Sequence, residues 1–209
     1  MRICHFEVGP LATNVFVLSQ GTDAVLVDTA PGAYEVVQPY LEEQDLQLSA
    51  ILVTHGHWDH IAELSIFRKT GAKIYAHKGD APLIQTPELM TRFMPEGIQI
   101  KGVTIDVLVA DRQALTFLGE PCTVFSVPGH SPGSLAYYFP QSACAFVGDV
   151  LFFNSVGRSD LPGGSWNDLK NSIRSKLYTL PDNTVIYPGH GDFTSVQNEK
   201  TSNPFVRPV

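Results

Sequence analysis

Residues 54–60, Thr-His-Gly-His-Trp-Asp-His, place three imidazoles and one carboxylate within six positions. The candidate metal ligands in this segment are His55, His57, Asp59 and His60. Imidazole and carboxylate are ligands that zinc, iron and manganese accept at neutral pH. The apolar run at 50–53 is typical of a buried strand, and 61–70 has the apolar spacing of a helix. The fold must therefore place this segment between a strand and a helix, at the carboxyl edge of a sheet, where ligands collect in open α/β folds.

Three further candidate ligands follow other predicted strands. His130 and His190 each come after an apolar run and a Pro-Gly pair, which ends a strand and reverses the chain. Asp149 follows the apolar run at 144–147, and such a carboxylate needs a partner because burying an unpaired charge is costly. His5 and His77 fit no such pattern, so we expect ordinary strand or surface positions for them.

Seven candidate ligands are too many for one tetrahedral ion, since four ligands close a structural zinc site. The set therefore predicts two divalent ions per chain, most simply zinc, with iron and manganese as alternatives. Asp149 would bridge the two ions; His55, His57 and His130 would hold one of them, and Asp59, His60 and His190 the other.

This arrangement predicts a hydrolase whose nucleophile is a metal-bridging hydroxide, because two ions about 3.5 Å apart lower the pKa of bound water. No separate catalytic side chain is expected. The sequence contains no Gly-x-Ser-x-Gly elbow, and Cys4, Cys122 and Cys144 lie outside the ligand segments.

The ligand order resembles the metal signature of the metallo-β-lactamase superfamily, and the chain is similar to short bacterial relatives of glyoxalase II, the hydroxyacylglutathione hydrolases. The resemblance implies an α/β fold, an αββα four-layer sandwich forming a single domain over residues 1–209, with a dinuclear site along one edge. It also implies that Asp28 orients metal-bound histidines without binding the metal. Ala62 and Ser131 stand where the family more often has Gly and Thr, but neither position is a ligand. The segments that carry the resemblance beyond the ligands are 128–134, 148–152, 157–161 and 188–190.

The resemblance and the leaving-group chemistry together predict a small-molecule acyl substrate, such as the thioester S-D-lactoylglutathione. A thiolate leaves without a strong general acid, because the pKa of its thiol is about 8.5. An amide needs more protonation, so we expect weak or no β-lactamase activity. Longer glyoxalase II enzymes bind glutathione with basic residues of a C-terminal helical region, which is not evident between His190 and Val209. We therefore expect a high KM for the glutathione thioester.

Arg158, in the loop 157–160, is the candidate substrate-binding residue. Its paired donors suit a substrate carboxylate, and the alternative is that it pairs with Asp160 and fixes the loop. Three other functions stay open: a mononuclear iron persulfide dioxygenase, a lactonase or other acyl hydrolase, and a binding protein with an inert metal site.

Charge and composition limit the classes of partner that we expect for this protein. A net charge of −7 offers no broad basic surface for nucleic acid. No apolar stretch is long enough to cross a membrane, and residues 1–10 lack the apolar core of a secretory signal. Three widely spaced cysteines fit free thiols in a reducing compartment. We therefore expect a cytoplasmic protein without nucleic-acid or membrane partners, and its oligomeric state stays open.

Proline and glycine divide the rest of the chain into elements. A helix is predicted at 33–44, and another is predicted to begin at Ser165 as N-cap, with a stripe at Leu169, Ile173 and Leu177. The segment 79–97 has no clear period, so it is either a helical flap over the site or surface packing. The predicted strands are 2–8, 13–19, 23–28, 50–53, 73–76, 103–109, 114–118, 121–127, 135–139, 143–147 and 184–187.

Overall fold

Two six-stranded mixed sheets carry most of the regular backbone in the computed structural model, which describes residues 1–208. The first sheet consists of Arg2–Val8 (β1), Thr13–Gln20 (β2), Asp23–Val27 (β3), Gln47–Leu52 (β4), Lys73–His77 (β5) and Val107–Val109 (β6). These strands lie side by side in chain order. Pairing is antiparallel from β1 to β3 and parallel from β3 to β6.

The second sheet lies later in the chain, and of its five strand pairs four are antiparallel and one is parallel. The remaining strands are Gln113–Phe117 (β7), Glu120–Ser126 (β8), Leu135–Phe139 (β9), Cys144–Gly148 (β10), Leu151–Phe152 (β11), Ser155–Val156 (β12), Val185–Pro188 (β13) and Thr194–Ser195 (β14). The sheet order is β14-β13-β10-β9-β8-β7, while β11 and β12 form a separate hairpin. β10 and β13 are parallel, so their carboxyl ends lie next to each other at one edge.

Helices cover the outer faces of both sheets. They are Ala33–Glu43 (α1), Trp58–Ile61 (α2), Leu64–Phe67 (α3), Ala81–Gln85 (α4), Trp166–Ser175 (α5) and Val196–Ser202 (α6), with 3₁₀ turns at Arg68–Thr70, Pro87–Phe93 and Leu177–Thr179. Among residues 1–208, no helix has both the length and the hydrophobicity needed to cross a bilayer.

Three apolar clusters separate four layers. Alternate residues of β2 point to opposite sides: Phe16 joins the cluster between the sheets, and Val17 joins the cluster under the first helices. Tyr137 completes the central cluster from the second sheet, and Leu169 of α5 packs on the far face of that sheet. The order helices, sheet, sheet, helices is the predicted αββα sandwich, which is confirmed.

Two predicted elements differ from the observed ones. The helix predicted at 61–70 begins at Trp58 and is interrupted between Ile61 and Leu64. It breaks because the Glu63 N–H donates to the Thr29 carbonyl, and the Glu63 carboxylate accepts from two backbone N–H groups at the start of α1. The strand predicted at 103–109 covers only its last three residues. The predicted start of α5 is confirmed, since Ser165 Oγ accepts from the Asp168 N–H.

Candidate metal centre

All seven candidate ligands lie together at one edge of the sandwich. His55 and His57 follow β4, and Asp59 and His60 occupy the first turn of α2. The other three come from the second sheet, where His130, Asp149 and His190 follow β8, β10 and β13. The structure therefore brings ligands from both sheets to one place, as the strand-end pattern predicts.

The side chains form two sets of close contacts. In the first set, His130 Nε2 lies 2.8 Å from His57 Nδ1 and 3.2 Å from His55 Nε2. In the second set, His190 Nε2 lies 3.3 Å from His60 Nε2 and 3.2 Å from Asp59 Oδ2. Within each set, one ligand atom per residue lies within 4.8 Å of the others, which is the spacing of groups that can share an ion.

Asp149 stands between the two sets. Its Oδ2 lies 3.6 Å from His130 Nε2 and 3.4 Å from His190 Nε2, while its Oδ1 lies 3.3 Å from His60 Nε2. Among the described residues, Oδ1 is buried without a hydrogen-bond partner. The chain after β13 approaches this oxygen so closely that a Cβ at Gly189 would lie 2.1 Å from it.

Hydrogen bonds on the far side of the imidazoles fix where their protons lie. Carbonyl oxygens can only accept, so His130 Nδ1 donates to Arg158 O (2.8 Å) and His190 Nδ1 donates to Leu11 O (3.0 Å). His60 Nδ1 donates to the Asp28 carboxylate at 2.8 Å. In the neutral imidazoles, Nε2 then carries a bare lone pair directed at the centre of its set.

Asp28 organises the floor of the site, the position that the resemblance implies for it. Besides His60, its carboxylate accepts from both the backbone N–H and the hydroxyl of Thr54, at 2.8 and 2.7 Å. Because the Thr54 hydroxyl proton is used there, its oxygen can accept from His55 Nδ1 at 3.1 Å. Asp28 thus orients two ligand imidazoles, one directly and one through Thr54.

Asp80 is a buried carboxylate that the sequence analysis missed. It accepts from the Gly56 N–H (2.7 Å), the Ser131 hydroxyl (2.6 Å) and the Gly133 N–H (2.7 Å). These groups belong to the turns that carry His55, His57 and His130, so Asp80 ties the two halves of the first set together. The signal that singled out Asp149, an acidic residue soon after a buried strand, was also present here after β5.

Backbone groups and Asn14 complete the support for His190. Asn14 Nδ2 donates to the carbonyls of Pro188 (3.0 Å) and Gly191 (2.9 Å), on both sides of the histidine. His5 Nε2 lies 2.7 Å from Asn14 Oδ1 and therefore contacts the support rather than the centre. His77 accepts from the Gly79 N–H and does not line the cavity. The carbonyls of Leu11 and Arg158 are backbone groups, which every residue has. The sequence therefore contains no signal that would identify them as supports.

The histidines of the two ligand sets differ in pKa and therefore in charge. Burial, reinforced by neighbouring imidazoles, lowers the pKa of His57 to about 4 and that of His55 well below its usual value. Burial opposes protonation in the second set as well, but Asp59 and Asp149 raise the pKa of His190 to about 10 and that of His60 above its usual value. Although burial disfavours their charged forms, the pKa of both Asp59 and Asp149 is lowered, with His60 the main favourable contact.

These features fit divalent cations. Imidazole nitrogens converge in each set, and the buried Asp149 Oδ1 has no hydrogen-bond donor among the described residues. Buried carboxylates need compensating positive charge, which the raised pKa of His60 and His190 also indicates. A mixed nitrogen and oxygen donor set suits zinc, iron or manganese.

A cavity of about 480 Å³ opens over this centre, with His57, Asp59, His130, Asp149 and His190 at its base. Arg158 lines the cavity, and its guanidinium forms a bidentate pair with Asp160, both distances being 2.8 Å. The structure therefore shows the loop-fixing contact for this side chain. The segment 79–97 forms α4 and a 3₁₀ turn, and part of it walls the cavity.

The cysteines lie away from the cavity. Cys122 and Cys144 are buried free thiols, and Cys4 is partly buried and also free. Burial raises the pKa of Cys144 to about 12 and raises the pKa of Cys122 as well. Neither buried thiol is ionised at neutral pH, which fits the expectation that they take no part in catalysis.

Comparison with known proteins gives a family match over most of the chain. The family model described as the metallo-β-lactamase superfamily matches residues 8–190. The probable metallo-hydrolase YqgX of Bacillus subtilis is 34% identical over 207 residues, covering 99% of this chain and 98% of that protein. The hydroxyacylglutathione hydrolase GloC of Haemophilus influenzae is 34% identical over 192 residues, covering 88% of this chain and 87% of that protein.

Solved structures give the same match in three dimensions. The crystal structure of BLEG-1 B3 metallo-β-lactamase superposes with a TM-score of 0.90 at 35% identity, covering 98% of this chain and 99% of that one. The crystal structure of TTHA1623 in a di-iron-bound form has a TM-score of 0.86 at 32% identity, covering 97% of this chain and 100% of that one. The predicted fold family is therefore confirmed.

Proposed function

The chain belongs to the metallo-β-lactamase superfamily of metal-dependent hydrolases, and from this premise we propose that it binds two divalent ions and hydrolyses a small thioester. The observation that carries the proposal is the pair of ligand sets that meet at Asp149. His55, His57 and His130 would hold one ion, Asp59, His60 and His190 the other, and Asp149 would contact both.

When bound, the ions would polarise the thioester carbonyl, lower the pKa of a water molecule between them and compensate charge that develops on oxygen and sulfur. The chain's own residues prepare the site for this. Asp28 and the carbonyls of Leu11 and Arg158 hold imidazole protons on the outer nitrogens. The inner nitrogens thereby face the centre of each set, so the imidazoles are already oriented for metal binding.

The leaving group favours a thioester over an amide. Apart from the candidate ligands, the titratable residues lining the cavity within residues 1–208 are Arg92 and Arg158. An arginine stays protonated at every relevant pH and is a poor proton donor. A thiolate leaves unaided near neutral pH, whereas a departing amide nitrogen needs a proton. The relative named hydroxyacylglutathione hydrolase supports the same choice, with S-D-lactoylglutathione or a related thioester as substrate.

A second candidate is β-lactam hydrolysis, because the matched BLEG-1 structure is named a B3 metallo-β-lactamase. The lack of an additional proton donor among the cavity-lining side chains described here makes it the weaker proposal. For the metal, zinc is the simplest proposal for this donor set, and the di-iron form of TTHA1623 makes iron the alternative.

The test combines metal analysis with kinetics. The purified protein is analysed for zinc, iron and manganese per chain and then assayed with S-D-lactoylglutathione, a cephalosporin and glutathione persulfide. We expect two ions per chain, thioester cleavage with a high KM for the glutathione thioester, and weak or no β-lactam cleavage. One iron per chain with oxygen consumption on the persulfide would instead assign a dioxygenase. Faster cleavage of the cephalosporin than of S-D-lactoylglutathione would make the second candidate the function.

A further inference from the structure

One part of the cavity lining is apolar. It is built by the segment that follows Asp80, in α4 and the 3₁₀ turn after it. We define the apolar wall as Leu83, Leu89, Met90, Phe93 and Met94. A cavity of about 480 Å³ is within the range that holds a small-molecule ligand, and such sites combine apolar walls with a few polar groups.

Two wall residues expose large apolar side chains to the cavity side of the molecule. Leu89 is 58% exposed and Phe93 is 40% exposed, while Met90 is buried. Leu11, from a distant part of the chain, is 50% exposed and also lines the cavity. Isolated exposed apolar residues are common, but a group of them around one concave site indicates a surface that a ligand covers.

Arg92 adds a positive charge to this wall. Its guanidinium lies over the Phe93 ring, 4.5 Å from the centroid. It differs from Arg158, which is paired with Asp160, because no hydrogen bond or ion pair joins its side chain to residues 1–208. Its charge is therefore available to an anionic group of a ligand in the cavity.

We propose that the site takes amphipathic thioesters, in which an apolar chain lies on the apolar wall and a carboxylate binds Arg92. This rests on the proposed thioester hydrolysis and adds its substrate class. Lactoylglutathione offers carboxylates but only a short, hydroxylated acyl group, so it would leave the apolar wall uncovered. A longer apolar chain would bury Leu89 and Phe93, which gains binding free energy in proportion to the area covered.

The kinetic test uses four thioesters with the fully metal-loaded protein. They are the acetyl and hexanoyl thioesters of 3-mercaptopropionate and of 3-mercaptopropionamide. We expect the hexanoyl thioesters to be preferred roughly tenfold or more over the acetyl thioesters, mainly through a lower KM. We expect the carboxylate series to be preferred over the amide series several-fold.

Matched variants assign these preferences to the wall. Leu89→Gln should reduce the chain-length preference roughly three- to tenfold, whereas Leu108→Gln, at a residue equally exposed (57%) but outside the cavity, should leave it unchanged. Arg92→Gln should remove the carboxylate preference and keep most of the chain-length preference. Arg112→Gln, which deletes an arginine outside the cavity, is its control. Equal selectivity in Leu89→Gln and Leu108→Gln would overturn the role of the apolar wall.

A binding experiment separates this inference from the proposed function. The thioether 3-(hexylthio)propanoate cannot be hydrolysed, and its affinity can be measured by calorimetry beside that of 3-(methylthio)propanoate. The hexyl compound should bind roughly tenfold more tightly, and Leu89→Gln should remove most of the difference. This result without any thioester cleavage would refute the hydrolase and retain the amphipathic ligand. Thioester cleavage together with equal binding of both thioethers would retain the hydrolase and refute the amphipathic ligand.

Discussion

At the scale of single residues, the centre depends on carboxylates that are buried among imidazoles. Asp28, Asp59 and Asp149 each contact His60, and the side chain of His60 is fully buried. Burial of so much negative charge is tolerated only with compensating positive charge, from protons or from metal ions. The positions of these carboxylates therefore decide how many ions the site can hold.

Asp149→Ala should remove at least one ion from each chain, because its carboxylate contacts His130 of the first set and His60 and His190 of the second. We expect thioester cleavage to fall by about a hundredfold or more, in line with the loss of a metal ligand. The measurements are metal content by mass spectrometry and steady-state kinetics. Asp182→Ala, at an exposed carboxylate paired with Lys200, is the control. Two ions retained in Asp149→Ala would exclude Asp149 from the bridging position.

Asp80→Asn should weaken the first ligand set without unfolding the chain. The amide keeps one acceptor oxygen but turns an NH₂ group toward donors that now bond to the carboxylate, at a cost of about 1–3 kcal/mol. We expect the affinity for one of the two ions to fall roughly tenfold. We expect kcat to fall by a larger factor than that by which KM changes. Titration of the metal-free protein would show this as two separated affinities. An unchanged titration, matching that of the surface variant Asp23→Asn, would mean that Asp80 has a purely structural role.

At the scale of elements, strand ends present the ligands and helices hold the turns in place. The turn carrying His130 shows this: the Ser165 N–H at the start of α5 donates to the Gly129 carbonyl, and the Ser172 hydroxyl donates to that of Pro128. Gly129 has φ +137°, and a Cβ there would lie 2.2 Å from the Leu169 nitrogen. The close approach of α5 therefore requires a glycine before the ligand.

Gly129→Ala should displace α5 from the His130 turn. The overlap involves backbone atoms that cannot move without the whole helix, so we expect a loss of at least about 2–3 kcal/mol in the free energy of unfolding. Gly119→Ala is a matched control, since Gly119 also has positive φ but has open space around it. It should cost only about 1 kcal/mol. Chemical denaturation measures both values, and equal losses would show that α5 does not fix the turn.

At the scale of the whole molecule, the centre joins the two sheets. His55, His57, Asp59 and His60 follow a strand of the first sheet, whereas His130, Asp149 and His190 follow strands of the second. An ion held by either ligand set would have ligands from both sheets and would therefore connect the two halves of the sandwich. Because a ligand that binds only the folded state stabilises it, metal binding should raise the stability of the entire fold.

Removal of the metal should lower Tm by roughly 10 °C at pH 7, if the metal is present at about a thousand times its Kd. The difference should grow from pH 6 to pH 9. The raised pKa of His190, about 10, means that metal must displace a proton there, so metal affinity rises with pH. That proton also stabilises the metal-free fold fully below pH 6.5, and this contribution is lost as pH rises through about 10. Thermal unfolding of the metal-loaded and the chelated protein at four pH values tests this expectation. A difference in Tm that stays constant with pH would contradict it.

The sequence by itself determined the fold family and the candidate ligands. Apolar runs that end in His or Asp can be recognised locally, since strands buried on both faces are continuously apolar and metal ligands are few in kind. The same local rules found the Ser165 cap and the buried free cysteines. They misplaced the helix predicted at 61–70, because the bond from Glu63 to Thr29 that interrupts it joins distant parts of the chain.

Only the tertiary structure decided how the ligands are supported and what covers them. The carbonyls of Leu11 and Arg158 orient imidazoles, yet every residue has a carbonyl, so no sequence signal distinguishes them. The sequence left two alternatives for Arg158, a substrate carboxylate or Asp160, and the fold pairs its guanidinium with Asp160. The aperiodic segment 79–97 gains its position over the cavity from packing against residues far away in the chain. Such contacts depend on three-dimensional closeness, which composition and spacing do not encode locally.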